Sequence, residues 1–176
     1  MTTAATHLLS LRGGARLTAR RIRPEDKPGL ARFFDRLSDE SRRRRFLAAK
    51  PKLTTRDLAF FTEIDHDRHV ALVALDRTGA IVAVARYAEW PGCRDRAELA
   101  FAVADDWHGR GLGSALAARL VEHARRSGLA ALTASTLSEN GASHALLRRL
   151  GFVPLRTSAG VAEYELALDG RAALAA

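Results

Sequence analysis

The chain has few residues that could link it covalently, hold a metal cluster or carry it through a membrane. Its 176 residues include one cysteine, which excludes an intramolecular disulfide and a cysteine-based metal cluster. No stretch approaches the roughly 20 consecutive apolar residues that cross a bilayer. The N-terminus has no cationic start followed by an apolar core, so no signal peptide is expected. These absences predict a cytoplasmic protein with neither a metal site nor a membrane partner.

Lysine is also scarce, although the chain is strongly basic. Lys27, Lys50 and Lys52 are its lysines, so arginine supplies 25 of the 28 basic residues behind a net charge of +8. The arginines are spread along the whole chain, and nucleic acid is therefore not the expected partner. The excess of cations suits an anionic ligand or an acidic protein. The run Arg42–Arg45 is interpreted as a solvated helix face, with a docking face for an acidic protein as the alternative.

The remaining composition is typical of a single globular domain. Hydrophobic residues make up 47% and charged residues 27% of the chain, so disorder is not expected. No internal repeat or interdomain linker interrupts the sequence. We expect a flexible lead-in over residues 1–14, one domain over residues 15–170 and a tail over residues 171–176.

The spacing of apolar residues predicts both helices and strands. Leu30, Phe33 and Leu37 recur at three- and four-residue intervals, which indicates an amphipathic helix. Two apolar runs joined by the turn at residues 76–79 indicate a hairpin. Because hairpins come first and a βαβ unit follows, we expect a mixed, mostly antiparallel α/β sheet of about seven strands flanked by helices. The predicted strands cover residues 17–22, 69–75, 80–87, 98–103, 130–137, 151 onward and 161–168, and the predicted helices residues 24–37, 38–46, 54–64, 112–127 and 140–150.

The most informative segment is a glycine-rich turn between a predicted strand and a long predicted helix. It reads Val103-Ala-Asp-Asp-Trp-His-Gly-Arg-Gly-Leu-Gly-Ser114. Three glycines free the backbone of Cβ atoms, so amide N–H groups can converge on an anion. The helix that begins near Leu112 adds the positive end of its dipole. The segment predicts a pyrophosphate site, and the alternative is a turn that only connects the strand to the helix.

Two other phosphate-binding motifs are excluded by their spacing. A dinucleotide-binding turn requires Gly-x-Gly-x-x-Gly, whereas Gly109, Gly111 and Gly113 alternate here. A P-loop ends in Gly-Lys-Ser/Thr, and this turn contains no lysine.

The turn and a second segment together resemble the GNAT superfamily of acetyltransferases. The run from His108 to Gly113 is similar to the superfamily's CoA-binding signature [Gln/Arg]-x-x-Gly-x-[Gly/Ala], with histidine in the first position. Downstream, Asn140 and the run Leu146–Phe152 resemble its Asn-x-x-Ala-x-x-Leu-Tyr-x-x-x-Gly-Phe segment. The resemblance extends over roughly residues 15–168.

This resemblance implies the GNAT fold, in which the strand before the glycine turn carries a bulge and splays from its neighbour. Acetyl-CoA, the co-substrate of the family, would occupy the gap between the splayed pair. Backbone groups of the strand would pair with the CoA arm, the glycine turn would bind the pyrophosphate, and an asparagine would contact the arm. The cofactor-binding residues implied in this way are Phe101, Ala102, Val103, His108, Gly109, Arg110, Gly111, Leu112, Gly113, Ser114 and Asn140.

Many members of the family place a tyrosine on the second of these helices as general acid. Leu147 occupies that position here. The departing thiolate therefore relies on another acid or on none. A thiol with a reference pKa of about 8.5 can leave as the thiolate without obligatory protonation.

The acceptor amine must be neutral before it attacks a thioester, so a base is required. Glu98 lies among apolar residues near the start of the splayed strand, where desolvation would raise its pKa toward neutrality. We expect Glu98 to be the catalytic base; the alternative is that it pairs with Arg86 or Arg96 on a half-exposed strand. Whether it acts directly or through water stays open.

The N-terminal half adds a resemblance to the catalytic domain of bacterial Pat-type protein lysine acetyltransferases. It is carried by the runs Arg21–Asp26, Phe33–Ser41 and Asp65–His69, and by the glutamate before Ala-Phe-x-Val-Ala-Asp-Asp-Trp. It implies an acceptor lysine on a protein such as an acyl-CoA synthetase. A small-molecule amine acetyltransferase and a non-enzymatic CoA-binding sensor are the alternatives. The sequence leaves the acyl chain and the oligomeric state open.

Overall fold

The computed structural model describes residues 6–11 and 14–168, which build one sheet with helices on both faces. The strands are β1 (His7–Ser10), β2 (Arg16–Arg21), β3 (His69–Leu75), β4 (Ile81–Glu89), β5 (Arg96–Val103), β6 (Ala131–Leu137), β7 (Val153–Ser158) and β8 (Val161–Ala167). The helices are α1 (Lys27–Arg36), α2 (Asp39–Phe46), α3 (Thr55–Thr62), α4 (Leu112–Arg126) and α5 (Gly141–Arg149).

The sheet has the strand order β1-β2-β3-β4-β5-β6-β8-β7. Its neighbours are antiparallel except β5 and β6, which run parallel because helix α4 carries the chain back across the sheet between them. The predicted mixed, mostly antiparallel sheet flanked by helices is confirmed. The described residues form eight strands rather than about seven.

The additional strand is β1, and it corrects part of the expected lead-in. His7–Ser10 pairs antiparallel with β2, with Leu9 opposite Leu17, and Leu9 is buried. Four residues are too few to show a convincing alternation, so the pairing with β2 decides the structure of this segment. The expected division also falls on residues that the structure does not describe, namely 1–5, 12, 13 and 169–176, which include the predicted end of the domain at residue 170 and the tail at 171–176.

Each face of the sheet is covered by its own helices. Helices α4 and α5 pack on one face, where Leu116, Leu120 and Leu147 are almost completely buried. The N-terminal helices pack on the opposite face through Phe33 and Phe34. Full burial of such side chains contributes about 1.5–3 kcal/mol each. The sheet is therefore fixed from both sides, which holds β5 between α2 on one face and α4 on the other.

The N-terminal helices begin where the sequence predicts. The Ser38 side chain accepts a hydrogen bond from the Ser41 amide and caps α2. Thr54 accepts one from the Asp57 amide, and the Asp57 carboxylate accepts one in return from the Thr54 amide. These caps set the positions of α2 and α3 over the sheet.

Candidate active site

Strands β5 and β6 separate partway along their length. They pair at Arg96–Ala131, Ala97–Leu132 and Glu98–Thr133, whereas β5 pairs with β4 over seven residue pairs as far as Val103. Beyond Glu98, one edge of β5 is therefore directed into a gap. The predicted splayed strand pair is present, and Glu98 lies where it opens.

The bulge expected in β5 is absent from its pairing with β4. The register between these strands is unbroken from Ala97 to Val103. The irregularity lies instead between β3 and β4, where Ala74 is opposite Ala83 and Leu75 is opposite Ile81. The splay thus arises from the early end of β6 pairing and not from an extra residue in β5.

The backbone of β5 offers hydrogen-bonding groups to the gap at alternate residues. Trp90 N–H donates to the Arg96 carbonyl at 3.1 Å, and Ala104 N–H donates to the Val82 carbonyl at 2.9 Å. Because polar groups alternate in direction along a strand, the even-numbered residues of β5 are directed at β4. The N–H and C=O groups of Phe101 and Val103 therefore point toward the gap, whereas those of Ala102 do not.

The glycine turn closes one end of the gap. After a single 3-10 turn at Asp105–Trp107, His108 Nε2 donates to the Val103 carbonyl at 2.9 Å, assigning the proton to that nitrogen. Gly111 then adopts φ 84° as the residue that precedes α4, a conformation that L side chains rarely adopt. The first N–H groups of α4 consequently face the gap without a side-chain cap.

Close packing explains the third glycine of the turn. A Cβ placed on Gly113 would lie 3.2 Å from Leu146 Cδ1 and 3.5 Å from Val103 Cγ2. Glycine at this position lets the first turn of α4 approach β5 and α5 closely. The beginning of α4 is thereby held against the opened edge of β5.

The gap forms a cavity of about 480 Å³. Three arginines line it, Arg44, Arg45 and Arg149, and the described lining includes no carboxylate. Arg149 Nη2 donates to Ser114 Oγ at 3.1 Å, which holds a cation beside the uncapped amides of α4. The cavity therefore suits a polyanionic ligand. Ten of the residues predicted from the sequence line it: Phe101, Ala102, Val103, His108, Gly109, Gly111, Leu112, Gly113, Ser114 and Asn140.

Arg110 is the predicted cofactor-binding residue that does not line the cavity. Its guanidinium carbon lies 4.9 Å from the centroid of the Trp107 ring. A contact of this kind is a cation–π interaction. The Arg110 side chain therefore stacks on Trp107, and Trp107 rather than Arg110 lines the cavity.

Sequence reasoning missed the contribution of α2. The Arg42–Arg45 run was expected to be a solvated face, yet its members are half-buried, and Arg44 and Arg45 line the cavity with Ser41. The sequence pattern gives no signal for this position, because a run of arginines is the same whether the helix face lines a cavity or is exposed to solvent. The other residues missed in the lining are Trp107, Ala142, Ser143, Ala145, Leu146 and Arg149.

Asn140 caps α5 from within the cavity wall. Its Oδ1 accepts from the Ser143 amide at 3.2 Å, and its Nδ2 donates to Ser143 Oγ at 2.8 Å. The residue is 6% exposed. Asn140 therefore fixes the start of α5 as well as lining the cavity.

Glu98 is exposed, and the apolar burial expected around it is wrong. It shares a sheet face with Ala88 and Thr133, its partners on either side. Neither predicted arginine pairs with it in the described part of the chain, because Arg96 is paired with Glu165 and Arg86 donates to His69. Glu98 lies outside the cavity lining, about four residues along β5 from Ala102, or about 13 Å.

The position where many family members carry a tyrosine as general acid holds a leucine. Leu147 is 1% exposed and belongs to the core. Among residues 6–11 and 14–168, no cluster of three or more potential ligands could bind a metal ion. In the same ranges, no helix has the length and apolar character to span a membrane.

Comparison with curated proteins identifies several acetyltransferases as relatives. The chain is 33% identical to Acetyltransferase PA5475 of Pseudomonas aeruginosa over 84% of its length and 80% of that protein. It is 34% identical to Acetyltransferase Pat of Mycolicibacterium smegmatis over 73% of its own length and 39% of Pat. It is 39% identical over 53% of its length to the L-methionine sulfoximine/L-methionine sulfone acetyltransferase of Pseudomonas paraeruginosa, spanning 56% of that enzyme.

Solved structures agree on the fold. The GNAT domain of S. lividans PAT superposes with a TM-score of 0.87 at 32% identity, covering 93% of this chain and 97% of that one. YncA of Salmonella typhimurium, solved with acetyl-CoA, superposes with a TM-score of 0.68 at 23% identity, covering 89% and 96% of the two chains. Residues 31–152, which include the glycine turn and the splayed strand β5, match the Acetyltransferase (GNAT) family. The chain is a member of the GNAT family of acetyltransferases.

Proposed function

We propose that the protein transfers an acetyl group from acetyl-CoA to the side-chain amine of a lysine on another protein, with Glu98 as general base. The observation that carries the proposal is the arginine-lined cavity at the fork of β5 and β6, in a domain similar in structure to the GNAT domain of a PAT. An acyl-CoA synthetase is the kind of protein substrate that we propose.

The residues of the cavity fit acetyl-CoA. Uncapped amides at the start of α4 and the nearby Arg149 would hold the pyrophosphate. The backbone groups of Phe101 and Val103 that point into the gap would pair with the amides of the cofactor arm. When bound, acetyl-CoA would supply the acetyl group as a thioester.

Glu98 would receive the proton that the attacking amine loses. A free lysine with a pKa of about 10.4 is neutral in only roughly one molecule in 2,500 at pH 7, so a positioned base contributes about 10²–10⁴ in rate. Glu98 lies at the fork and is open to solvent, which allows an acceptor side chain to approach it. The proton passes to Glu98 directly or through one water. With Leu147 buried in the core, the thiolate departs without a protein acid from that position.

The test compares Glu98→Gln with wild type in CoA-thiol release, using an acyl-CoA synthetase and a panel of small amines as acceptors. We expect kcat on the protein to fall by about 10²–10⁴ while acetyl-CoA affinity is unchanged. Glu122→Gln, on the exposed side of α4, is the matched control and should retain wild-type activity. Full activity of Glu98→Gln would contradict the role of base. Tight acetyl-CoA binding without turnover on any acceptor would indicate a CoA sensor.

A small-molecule amine is the second candidate acceptor. It is favoured by the 39% identity to the methionine sulfoximine and methionine sulfone acetyltransferase over part of the chain. Arg44 and Arg45 in the cavity wall would also suit an acceptor that carries a carboxylate. Turnover on methionine sulfone, with none on the protein substrate, would replace the lysine acetyltransferase proposal by this one.

A further inference from the structure

Strand β4 carries a buried arginine, Arg86, that has no carboxylate partner among residues 6–11 and 14–168. Arg86 is 6% exposed, and its Nη1 donates to His69 Nε2 at 3.1 Å and to the Phe61 carbonyl at 3.4 Å. Its guanidinium also lies over the Phe61 ring, 4.3 Å from the centroid. None of these partners carries a negative charge. Burial and the adjacent Arg86 lower the pKa of His69 to about 4, so its ring is neutral at pH 7 and can accept the hydrogen bond. Buried guanidinium groups are normally paired with an acid.

A second cation approaches the same place from α2. Arg45 is half-buried and lies in the wall of the main cavity. It also lines a smaller cavity of about 30 Å³, which it shares with Arg86 and Ala102. Ala102 and Arg45 line both cavities, so the smaller cavity adjoins the larger one. A space of this size holds one or two waters or a carboxylate group.

The described lining of the smaller cavity brings two guanidinium groups together and contains no carboxylate. Burial and the proximity of Arg45 lower the pKa of Arg86 to about 9, so it remains largely protonated at pH 7. Burial also lowers the pKa of Arg45, and Glu98 raises it. The other residues that line the smaller cavity are apolar: Leu30, Phe33, Phe34, Leu37, Phe46, Leu53, Phe61 and Val84.

We propose that Arg45 and Arg86 form a subsite for a carboxylate, and that this carboxylate is carried by the acyl chain of a CoA thioester. The inference rests on the proposed function, because it requires an acyl-CoA in the main cavity. The smaller cavity adjoins the main one at Arg45 and Ala102, whereas an acceptor would approach the exposed Glu98. A four-carbon dicarboxylic acyl group such as succinyl has the required chemistry.

The transfer of such a group needs no further reactant. The acceptor nitrogen forms a bond to the acyl carbon, the carbon–sulfur bond breaks, and sulfur leaves with the electron pair as thiolate. The amine proton goes to Glu98. The terminal carboxylate stays unchanged and keeps its hydrogen bonds to the two arginines, which makes them specificity-determining residues for the acyl donor.

Isothermal titration calorimetry with succinyl-CoA and butyryl-CoA, which have the same chain length, tests the subsite. We expect wild type to bind succinyl-CoA at least about tenfold more tightly than butyryl-CoA, as for a charge-assisted hydrogen bond. Arg86→Met should lose this ratio. Arg45→Met should lose it too, and this second variant changes a half-buried side chain rather than a fully buried one. Arg126→Met, on the exposed side of α4, should retain it.

A ratio near one in wild type, with acetyl-CoA bound and acetyl transfer intact, would overturn the subsite and leave the proposed function standing. Failure to bind acetyl-CoA at all would overturn both. A carboxylate on the acceptor is the other source of the same chemistry. It is tested by comparing methionine sulfone with its decarboxylated amine as acceptors of acetyl groups. An acceptor preference that Arg86→Met abolishes, without a succinyl preference, would overturn the assignment to the acyl chain.

Discussion

Helix α4 has a glycine in the left-handed conformation at each end, and only one of them lines the cavity. Gly111 has φ 84° and Gly128 has φ 78°, and a Cβ added to either would meet no atom within 4 Å. Alanine at both positions therefore creates the same backbone strain without a steric clash. Gly111 lies in the cavity wall beside the uncapped amides, whereas Gly128 follows the opposite end of the helix. Comparison of the Gly111→Ala and Gly128→Ala variants therefore separates the effect of backbone strain from the effect on ligand binding.

The strain of an L-residue in this conformation is about 1–2 kcal/mol. In a domain of this size, 1 kcal/mol lowers Tm by about 2–4 °C, so Gly111→Ala and Gly128→Ala should each lose about 2–8 °C. In Gly111→Ala the turn can also relax out of the left-handed region and misdirect the amides that would hold the pyrophosphate. We expect its acetyl-CoA affinity to fall at least about tenfold, equivalent to about 1.4 kcal/mol.

Differential scanning fluorimetry gives the two Tm values, and calorimetric titration gives the two affinities. We expect the two variants to lose Tm equally and acetyl-CoA affinity unequally. If Gly111→Ala bound acetyl-CoA as tightly as Gly128→Ala, the turn would not be the pyrophosphate site. If Gly128→Ala were as stable as wild type while Gly111→Ala were not, the strain argument would be refuted.

Three further predictions follow from single contacts. Asn140→Ala and Thr54→Ala each remove a helix cap and should lower the free energy of unfolding by about 1 kcal/mol in urea titrations. Only Asn140→Ala should also weaken acetyl-CoA binding. Equal binding of acetyl-CoA by both variants would exclude Asn140 from the site. Folding lowers the pKa of His69 from 6.5 to about 4, so between these values the unfolded chain binds one more proton than the folded chain. The free energy of unfolding should therefore decrease by about 1–2 kcal/mol, after solvent screening, as pH falls through this window. Urea unfolding at pH 7 and pH 4.5 should show a smaller decrease in His69→Gln than in wild type, and an identical decrease would contradict the assignment. Gly113→Ala brings a Cβ to 3.2 Å from Leu146 Cδ1 and should lower the free energy of unfolding by about 1–3 kcal/mol. The double variant with Leu146→Ala should lose less stability than the sum of the two single variants. Strict additivity would show that the clash is not the cause.

The elements and their order could be predicted because their signals are local. Ser38 and Thr54 cap helices three residues ahead, and the apolar spacing of α1 requires only that one side of it be buried. The glycine turn could be predicted for the same reason, since its backbone conformation depends on glycines close together in the chain, two of which, Gly109 and Gly111, have positive φ. By contrast, β1 depends on pairing with β2, and four residues carry too little pattern to show it.

The surroundings of the candidate site depend on contacts between distant segments. Glu98 was expected to be buried because its neighbours in the chain are apolar, but side chains alternate along a strand and its face of the sheet is open at the fork. Arg45 reaches the cavity wall because α1 and the caps place α2 over β5. No local pattern distinguishes that position from a solvated one.

Residue types and their spacing over a few positions were enough to predict the glycine turn and the strand that leads into it, and the motifs at these positions carried the resemblance to the GNAT family. Three features depend on tertiary contacts: the point where β5 and β6 part, the backbone groups of β5 that face the gap, and the cavity that Arg45 and Arg86 share, whose described lining contains no carboxylate. Hydrogen-bond pairing between strands and the packing of helices across the sheet fix these features, and both join residues that are far apart in the chain.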